Sequence, residues 1–143
     1  MLSGSYAPRL DDKGRLVLPA KFRDALAPGL MLTKGQEHAI TVWPSAEFRA
    51  YAERLKEASR SNPKARAFMR VLFSGAFEEI PDRQGRITVP PALREWAGLD
   101  RDVVVFGNND TAEIWDATAW EAYLASQEDA FSGLDEEGGF GIF

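Results

Sequence analysis

Residues of the stretch "GRLVLP" alternate between two environments. In an extended chain, Leu16 and Leu18 share one face, and Arg15 and Val17 share the other. This period of two is typical of a strand with one face in a core. Pro19 then predicts a short helix over "PAKFRDAL", because a proline at the first helical position loses no intrahelical hydrogen bond. The apolar pattern of the first half predicts four short strands, at about residues 5–10, 16–18, 30–33 and 39–43.

Longer helices are predicted where a proline or a capping residue precedes apolar positions spaced three and four apart. One begins near Ser45, and its apolar face carries Phe48, Tyr51, Ala52 and Leu55. The second begins at Pro63 and runs to about Phe73. The third begins near Asp116, a residue type that caps helices well.

The same order of elements occurs twice along the chain. A shift of 71 residues aligns glycines, prolines and charged residues of the two halves, and such matches report a shared backbone. The aligned residues are Gly4, Asp11, Gly14, Arg15, Pro19 and Arg23, with Gly75, Asp82, Gly85, Arg86, Pro90 and Arg94. After a single-residue insertion, the matches continue with Trp43, Phe48 and Tyr51 against Trp115, Trp120 and Tyr123. The sequence therefore predicts two structural copies.

The predicted boundaries are a first repeat at 1–58, a connecting helix at 59–74, a second repeat at 75–127 and an acidic, glycine-rich tail at 128–143. One repeat alone is too small for a stable core and would leave its strand edges exposed. Two repeats packed against each other solve both problems. We therefore expect a β-rich α+β fold, in which one β-barrel-like unit with pseudo-twofold symmetry is flanked by helices.

Each repeat carries one conspicuous turn, "LDDKGRLVLPAKFR" in the first and "PDRQGRITVPPALR" in the second. If Asp11 and Arg15 end the arms of a hairpin, Gly14 falls where a three-residue loop requires a left-handed conformation, as does Gly85 in the second repeat. The aspartate and the arginine then face each other, and a charge-assisted hydrogen bond fixes the direction of the guanidinium. Arg15 and its counterpart Arg86 are expected to point outward, where an arginine can bind phosphate or the edge of guanine.

A purely structural interpretation of this turn stays open. Asp-x-x-Gly-Arg is also a good hairpin turn with a surface ion pair, and such pairs stabilise a protein by only about 0–1 kcal/mol. The arginine occurs in both copies, although Lys13 is replaced by Gln84 and Asp12 by Arg83. This favours a role beyond the turn, and a pseudo-twofold pair of such turns is the arrangement that a β-ribbon reader of DNA uses.

The net charge of −5 by itself argues against a polyanionic partner. The negative charge is concentrated in the last sixteen residues, however, and the remainder carries 17 basic against 17 acidic residues. Residues 1–23 have a local excess of three positive charges, and residues 54–70 contain six basic residues against Glu57 alone. The second cluster is interpreted as a solvated basic helix face.

Other kinds of chemistry find little support in the sequence. His38 is the single histidine and cysteine is absent, so we expect no metal site, no cofactor and no enzymatic activity. The tryptophans are expected to pack in the core rather than to stack on bases; they are Trp43, Trp96, Trp115 and Trp120. Neither a signal-peptide pattern nor an apolar run of about 20 residues occurs, which favours a soluble intracellular protein.

The two turn segments, about 70 residues apart, resemble the two signature segments of the MraZ family of tandem SpoVT/AbrB-type transcriptional regulators. The resemblance covers nearly the whole chain, to about residue 130. It implies a swapped-hairpin, double-split β-barrel built from both repeats, and a ring-shaped homo-oligomer. It also implies binding of double-stranded DNA at short direct repeats in the promoter of its own operon, within a division and cell-wall gene cluster. Such a protein is expected to be cytoplasmic and nucleoid-associated, with neither a membrane nor a small-molecule substrate as partner.

Carried over by position, the resemblance marks residues of the two turns as DNA-binding candidates, namely Asp11, Lys13, Gly14, Arg15, Asp82, Arg83, Gly85 and Arg86. Pro8, Arg9 and Pro91 depart from the residues that relatives often have at these positions, and the acidic tail is not part of the signature. The remaining alternative is a ring-forming protein-interaction or assembly module that keeps the barrel but does not read bases.

Overall fold

The computed structural model of the protein describes residues 1–134 and residue 140. Its strands are β1 (Ser5–Tyr6), β2 (Arg15–Val17), β3 (Leu30–Lys34), β4 (Ile40–Pro44), β5 (Phe77–Glu79), β6 (Arg86–Thr88), β7 (Val103–Asn108) and β8 (Thr111–Asp116). Its α-helices are α1 (Arg23–Leu26), α2 (Ser45–Ser59), α3 (Pro63–Ser74), α4 (Pro91–Trp96) and α5 (Ala117–Ser132), and 3₁₀ turns occur at Ala20–Phe22 and Gln36–His38. The order of elements is the predicted one, and the first strand is shorter than expected.

The strands are distributed over one antiparallel sheet in the order β1-β7-β8-β4-β3-β5 and a separate two-stranded ribbon of β2 and β6. The repeats exchange strands, because β1 of the first repeat pairs with β7 of the second, and β5 of the second pairs with β3 of the first. Equivalent residues of the two repeats lie opposite each other twice, as Thr41 with Glu113 in the sheet and Leu16 with Ile87 in the ribbon. These pairs define the pseudo-twofold axis that the repeat predicts.

A closed barrel is not formed by the described strands. β1 and β5 are the edges of the large sheet, so the described strands form an open sheet and a separate ribbon. The edge strands contain two and three residues, which leaves few backbone groups to continue the ladder toward the ribbon. The coarser prediction, a β-rich α+β fold with antiparallel sheets, is confirmed.

The two predicted turns form, each closed by a backbone hydrogen bond between its aspartate and its arginine, but the arms diverge beyond that pair. Before the first turn, Arg9 and Leu10 pair with residues 101–102. After the turn, β2 pairs with β6 of the other repeat. The predicted hairpin is therefore confined to the turn itself, because turn residues and alternation specify a chain reversal and a buried face but do not specify the neighbouring strand.

The inner face of the ribbon packs into the core. Its side chains Leu16, Leu18, Ile87 and Val89 are at most 1% exposed. They join an apolar cluster from the large sheet that includes Leu30, Leu32, Ile40, Val42, Val103, Val105 and Ile114. Burial of one such side chain stabilises the fold by about 1.5–3 kcal/mol. The outward direction of the other ribbon face is thus fixed by the core.

Helix starts follow the capping residues of the sequence. The side chains of Asn62 and Asp116 each accept a hydrogen bond from a backbone amide of the following first turn, at 2.9 and 3.1 Å. Helix α5 continues through Ser132, so residues 128–132, which the sequence assigned to the tail, are helical. Most of the remaining predicted tail lies outside the described residues, namely 135–139 and 141–143.

Candidate nucleic-acid interface

Each repeat presents a short turn that we call an arginine turn, residues 11–15 in the first repeat and 82–86 in the second. In the first, the amide of Asp11 donates to the carbonyl of Arg15 at 2.9 Å, and the amide of Gly14 donates to the carbonyl of Asp11 at 3.0 Å. The second turn has the same two bonds, at 3.0 and 2.9 Å. The glycines have φ angles of +76° and +75°, which is the left-handed conformation predicted for this position.

The aspartate of each turn holds both the backbone and the guanidinium. In the first turn, one carboxylate oxygen of Asp11 accepts hydrogen bonds from the amides of Lys13 and Arg15, both at 2.9 Å. The other oxygen accepts from Nε of Arg15 at 2.7 Å. Among the described residues, only this aspartate accepts a hydrogen bond from the Arg15 guanidinium, so its terminal amino groups stay available. The second turn repeats the arrangement, with Arg86 Nε donating to Asp82 at 2.8 Å.

These hydrogen bonds stabilise the ionised form of the aspartates. The backbone amide of Arg15 is the largest cause that lowers the pKa of Asp11 from 3.8 to about 2; desolvation opposes it, and the Arg15 guanidinium and the Lys13 amide lower the pKa further. The pKa of Asp82 is lowered in the same direction, chiefly by the amide and then the guanidinium of Arg86. Both aspartates are therefore ionised at neutral pH and keep their arginines paired.

Both arginines lie on the same surface, which we call the outer ribbon face and define as Arg15, Val17, Arg86 and Thr88. In the antiparallel register, Arg15 lies opposite Thr88, and Val17 lies opposite Arg86. The side chains of Arg15 and Arg86 are 33% and 35% exposed, and Val17 is 46% exposed. The outward orientation predicted from alternation is confirmed. Diagonal neighbours in such a ribbon have Cβ atoms roughly 7–8 Å apart.

The charge around the ribbon is more positive than the net charge of the chain indicates. Lys13 and Arg83, at the tips of the two turns, are both exposed. The acidic tip residue of the first turn, Asp12, forms an ion pair with Arg101 at 3.0 Å. The predicted site residues of both repeats therefore come together around one ribbon, with their acidic members paired to arginines.

Two residues of the outer ribbon face, Val17 and Thr88, were not among the DNA-binding candidates from the sequence. Alternation marks both as outward, but their contribution depends on the pairing of β2 with β6, which the sequence does not reveal. Sequence reasoning also assigned no role to Arg23 and Arg94, whose guanidinium groups lie against the glycines of the turns. The one available indication was that these arginines occupy matching positions in the two repeats.

The tryptophans and the histidine take part in packing. Trp43, Trp96 and Trp115 each donate an indole hydrogen bond, at 2.9 to 3.0 Å, and Trp120 stacks on Phe106. The ring of His38 stacks on Trp96 with centroids 3.9 Å apart. Within the described part of the chain, no group of three or more His, Asp or Glu residues is arranged to hold a metal ion, and no helix has the length and apolar character needed to cross a membrane.

Comparison with known proteins agrees with this architecture. The model of the family described as MraZ protein matches the chain twice, over residues 1–71 and 72–138. Proteins named "Transcriptional regulator MraZ" are similar over the full length of both chains, with 55% identity in Leifsonia xyli subsp. xyli and 57% in Nocardia farcinica. The relative of that name in Salinispora tropica is 53% identical over 95% of this chain and 96% of its own.

Fold and site together define a tandem-repeat, β-rich protein whose two halves share one arginine-bearing ribbon. The chain belongs to the MraZ family. The resemblance inferred from the two turn segments is thereby confirmed. Relatives in this family are named transcriptional regulators, which is a non-enzymatic class, in agreement with the expectation from the sequence.

Proposed function

We propose that the protein is a sequence-specific DNA-binding transcriptional regulator that reads double-stranded DNA with its outer ribbon face. The observation that carries the proposal is the pairing of both arginines with their own aspartates on one exposed face of a two-stranded ribbon. Such pairing orients a guanidinium before binding and leaves its terminal amino groups for an acceptor on DNA. The names of the relatives support the regulatory role.

The dimensions of the ribbon fit the major groove. That groove admits a two-stranded β-ribbon, and the guanidinium of arginine matches the O6 and N7 acceptors of guanine. With Cβ atoms roughly 7–8 Å apart, Arg15 and Arg86 are separated by about two base-pair steps of ~3.4 Å. Thr88 adds a hydroxyl, and Val17 adds methyl groups that suit the methyl of thymine. Lys13 and Arg83 at the turn tips are then near the phosphate backbone.

The DNA target proposed is a set of short direct repeats in the promoter of its own operon, in a division and cell-wall gene cluster. One subunit offers a single ribbon on a chain of net charge −5, so its intrinsic affinity is modest. A ring of subunits presents several ribbons to successive repeats and raises the affinity through effective concentration. The protein then acts in the cytoplasm, associated with the nucleoid, without a cofactor or small-molecule substrate.

The charges and exposed apolar side chains of two helices are arguments for the ring-shaped homo-oligomer. Helix α3 carries Lys64, Arg66 and Arg70 and no acidic residue, and it exposes apolar side chains. Helix α5 carries acidic and no basic residues, and it also exposes apolar side chains, among them Leu124 and Phe131. Because these helices belong to different parts of one chain, a contact of α3 with α5 of the next copy is head-to-tail, which closes into a ring if the rotation permits. Within each subunit, we take the open sheet and the ribbon of the two repeats together as the double-split barrel that the resemblance implies.

The proposal is tested with the double variant Arg15→Ala/Arg86→Ala in a gel-shift assay on the DNA upstream of its own gene. Because each arginine contact with a base contributes about 1–3 kcal/mol of discrimination, the specific affinity should fall at least roughly thirtyfold. The matched control Arg49→Ala/Lys56→Ala removes two exposed charges from α2 and should bind nearly as the parent does. Parental binding should weaken steeply as salt is added.

Oligomer size and circular dichroism should be unchanged in Arg15→Ala/Arg86→Ala. A double variant that binds this DNA as tightly as the parent would falsify the assigned reader. It would favour the alternative, an assembly module that forms rings without reading bases. Charge reversal in α3, as Arg66→Glu/Arg70→Glu, tests the ring separately and should give smaller species in light scattering.

A further inference from the structure

Each arginine turn is covered by an arginine of the opposite repeat. A methyl group placed on Gly14 would lie 2.5 Å from Nη1 and 2.7 Å from Cζ of Arg94. A methyl group placed on Gly85 would lie 2.5 Å from Nε and 2.8 Å from Cζ of Arg23. Both guanidinium groups therefore lie directly against the bare backbone of a glycine, and the two contacts cross between the repeats.

The crossed contact is tied to the strand pairing of the ribbon. Arg23 Nε donates to the carbonyl of Leu18 at 3.3 Å. The amide of Leu18 in turn donates to the carbonyl of Gly85 at 2.8 Å. On the other side, Arg94 lines the groove beside the first turn together with Asp11. The placement of Arg23 is thus tied to the pairing of the ribbon, and Arg94 occupies the matching position beside the first turn.

We propose that Arg23 and Arg94 are positioning residues for DNA reading, Arg23 for the turn of the second repeat and Arg94 for the turn of the first. The contribution of Arg23 and Arg94 to DNA binding rests on the proposed function, whereas their effect on the conformation of the turns does not. Glycine is required at positions 14 and 85 for two reasons: the backbone is left-handed there, and the guanidinium occupies the space that a side chain would need. The two reading arginines are then linked, since neither turn is complete without a side chain from the other repeat.

A physical reason for the cover is the weakness of exposed ion pairs. The Asp11–Arg15 and Asp82–Arg86 pairs are about two-fifths exposed at the carboxylate, and exposed pairs of this kind add little stability to a turn because water and side-chain entropy compete. Gly14 and Gly85 are nevertheless buried, because the guanidinium of the opposite repeat shields them. That shield restricts opening of the turn and so keeps the reading arginine in one direction.

Amide hydrogen exchange tests the crossed effect without DNA. In Arg23→Ala, the amides of Gly85 and Asp82 should exchange about tenfold faster, with Gly14 and Asp11 unchanged, because local opening of one turn is no longer restricted. In Arg94→Ala the pattern should be reversed. Lysine at these positions keeps the charge but lacks the planar group, so Arg23→Lys should protect the Gly85 and Asp82 amides only partly. The same lysine variant replaces the alanine variant in the measurement if the latter folds poorly. Lys21→Ala, an exposed charge beside the same short helix, should change neither turn.

Double-variant cycles distinguish positioning from direct DNA contact. On a duplex carrying the region upstream of its own gene, Arg23→Ala should weaken binding about fivefold, and this loss should vanish when Arg86 is already alanine. In the Arg15→Ala background the same loss should persist in full. Arg94→Ala should show the mirrored behaviour, with its effect abolished by Arg15→Ala and retained with Arg86→Ala.

Two exchange results would overturn the inference: Arg23→Ala or Arg94→Ala changes amide exchange in the turn of its own repeat, or changes exchange in both turns equally or in neither. A third contrary result would be that the losses of DNA affinity in Arg23→Ala and Arg86→Ala are additive. Additive losses would make Arg23 a direct DNA contact. If the parent protein does not bind the duplex, the proposed function fails, and the exchange measurement alone decides whether the crossed arginines position the turns.

Discussion

The two repeats contain the same aromatic triad, one residue on the last strand and two on the helix that follows. In the first repeat, Trp43 lies 5.6 Å from Phe48 and 4.8 Å from Tyr51 between ring centroids. In the second, Trp115 lies 5.2 Å from Trp120 and 4.9 Å from Tyr123. Nearly equal distances at aligned positions show that the local sequence builds the same corner twice.

What differs is the cover over this corner. In the first repeat, α3 packs on α2, and Phe73 approaches Phe48 to 5.3 Å, so that Phe48 is buried. In the second repeat, Trp120 stacks on Phe106 instead and stays half-buried, and Tyr123 is exposed. The difference teaches that equal repeats acquire unequal surfaces when only one is followed by a connecting helix. In the second repeat, α5 therefore leaves Tyr123 and Leu124 exposed to solvent.

The largest expected effect is on stability, from alanine at the two aligned triad positions. Phe48→Ala should lower the free energy of unfolding by about 3–4 kcal/mol, because it leaves a cavity under α3. Trp120→Ala should cost less, about 1–2 kcal/mol, because half of the ring is already exposed. Urea unfolding followed by circular dichroism at one fixed protein concentration measures both. Equal losses would mean that the second corner is covered as completely as the first.

A second comparison concerns two left-handed glycines in different surroundings. Gly14→Val should destabilise by about 2 kcal/mol through backbone strain and should also displace the Arg94 guanidinium and misdirect Arg15. Its loss of DNA affinity should therefore exceed its loss of stability. Gly98 also has a positive φ, +58°, but a Cβ added there would meet no atom within 4 Å, so Gly98→Val should strain the backbone and leave DNA binding intact. A Gly14 variant that binds normally would contradict the turn assignment.

A third comparison separates the two arginine turns. Arg15→Ala and Arg86→Ala should each weaken specific binding by about 1–3 kcal/mol, the range for a single arginine–base contact. Similar losses are expected because both guanidinium groups lie on the outer ribbon face with matching exposure. Fluorescence anisotropy with a labelled duplex gives the two values. A loss confined to one variant would show that only one turn of each chain contacts bases.

The smallest effect is the acid dependence of the first turn. The pKa of Asp11 is lowered from 3.8 to about 2 by the Arg15 amide and guanidinium, so its contribution to stability is complete above pH ~3.8 and is lost as the pH falls toward ~2. Carbon NMR of the Asp11 carboxyl should give this low midpoint. In Arg15→Gln the midpoint should rise part of the way, because the amide bond remains while the guanidinium is lost. An unchanged midpoint would show that the guanidinium contributes nothing.

Much of the candidate site was predictable because it depends on short stretches of chain. The left-handed glycine, the Asp11–Arg15 hydrogen bond and the outward direction of Arg15 all follow from turn chemistry and alternation within about five residues. Thr88 and Arg94 were not predictable in this way. Their approach to Arg15 and Gly14 joins residues more than 70 positions apart, and nothing local to either residue specifies the other.

By itself, the sequence determined two copies of one backbone, the starts of the long helices and the chemistry of each arginine turn. These features arise from conformational preferences and hydrogen bonds between near neighbours, which act in the same way wherever the segment lies. Only the tertiary structure decided that β2 pairs with β6, that Arg23 and Arg94 cross between repeats, and that α3 covers one aromatic corner and not the other. Which strand pairs with which depends on the apolar surface that distant segments bury together. A strand with alternating apolar residues can bury its apolar face against any other segment with a matching face, so its own sequence does not specify the neighbour.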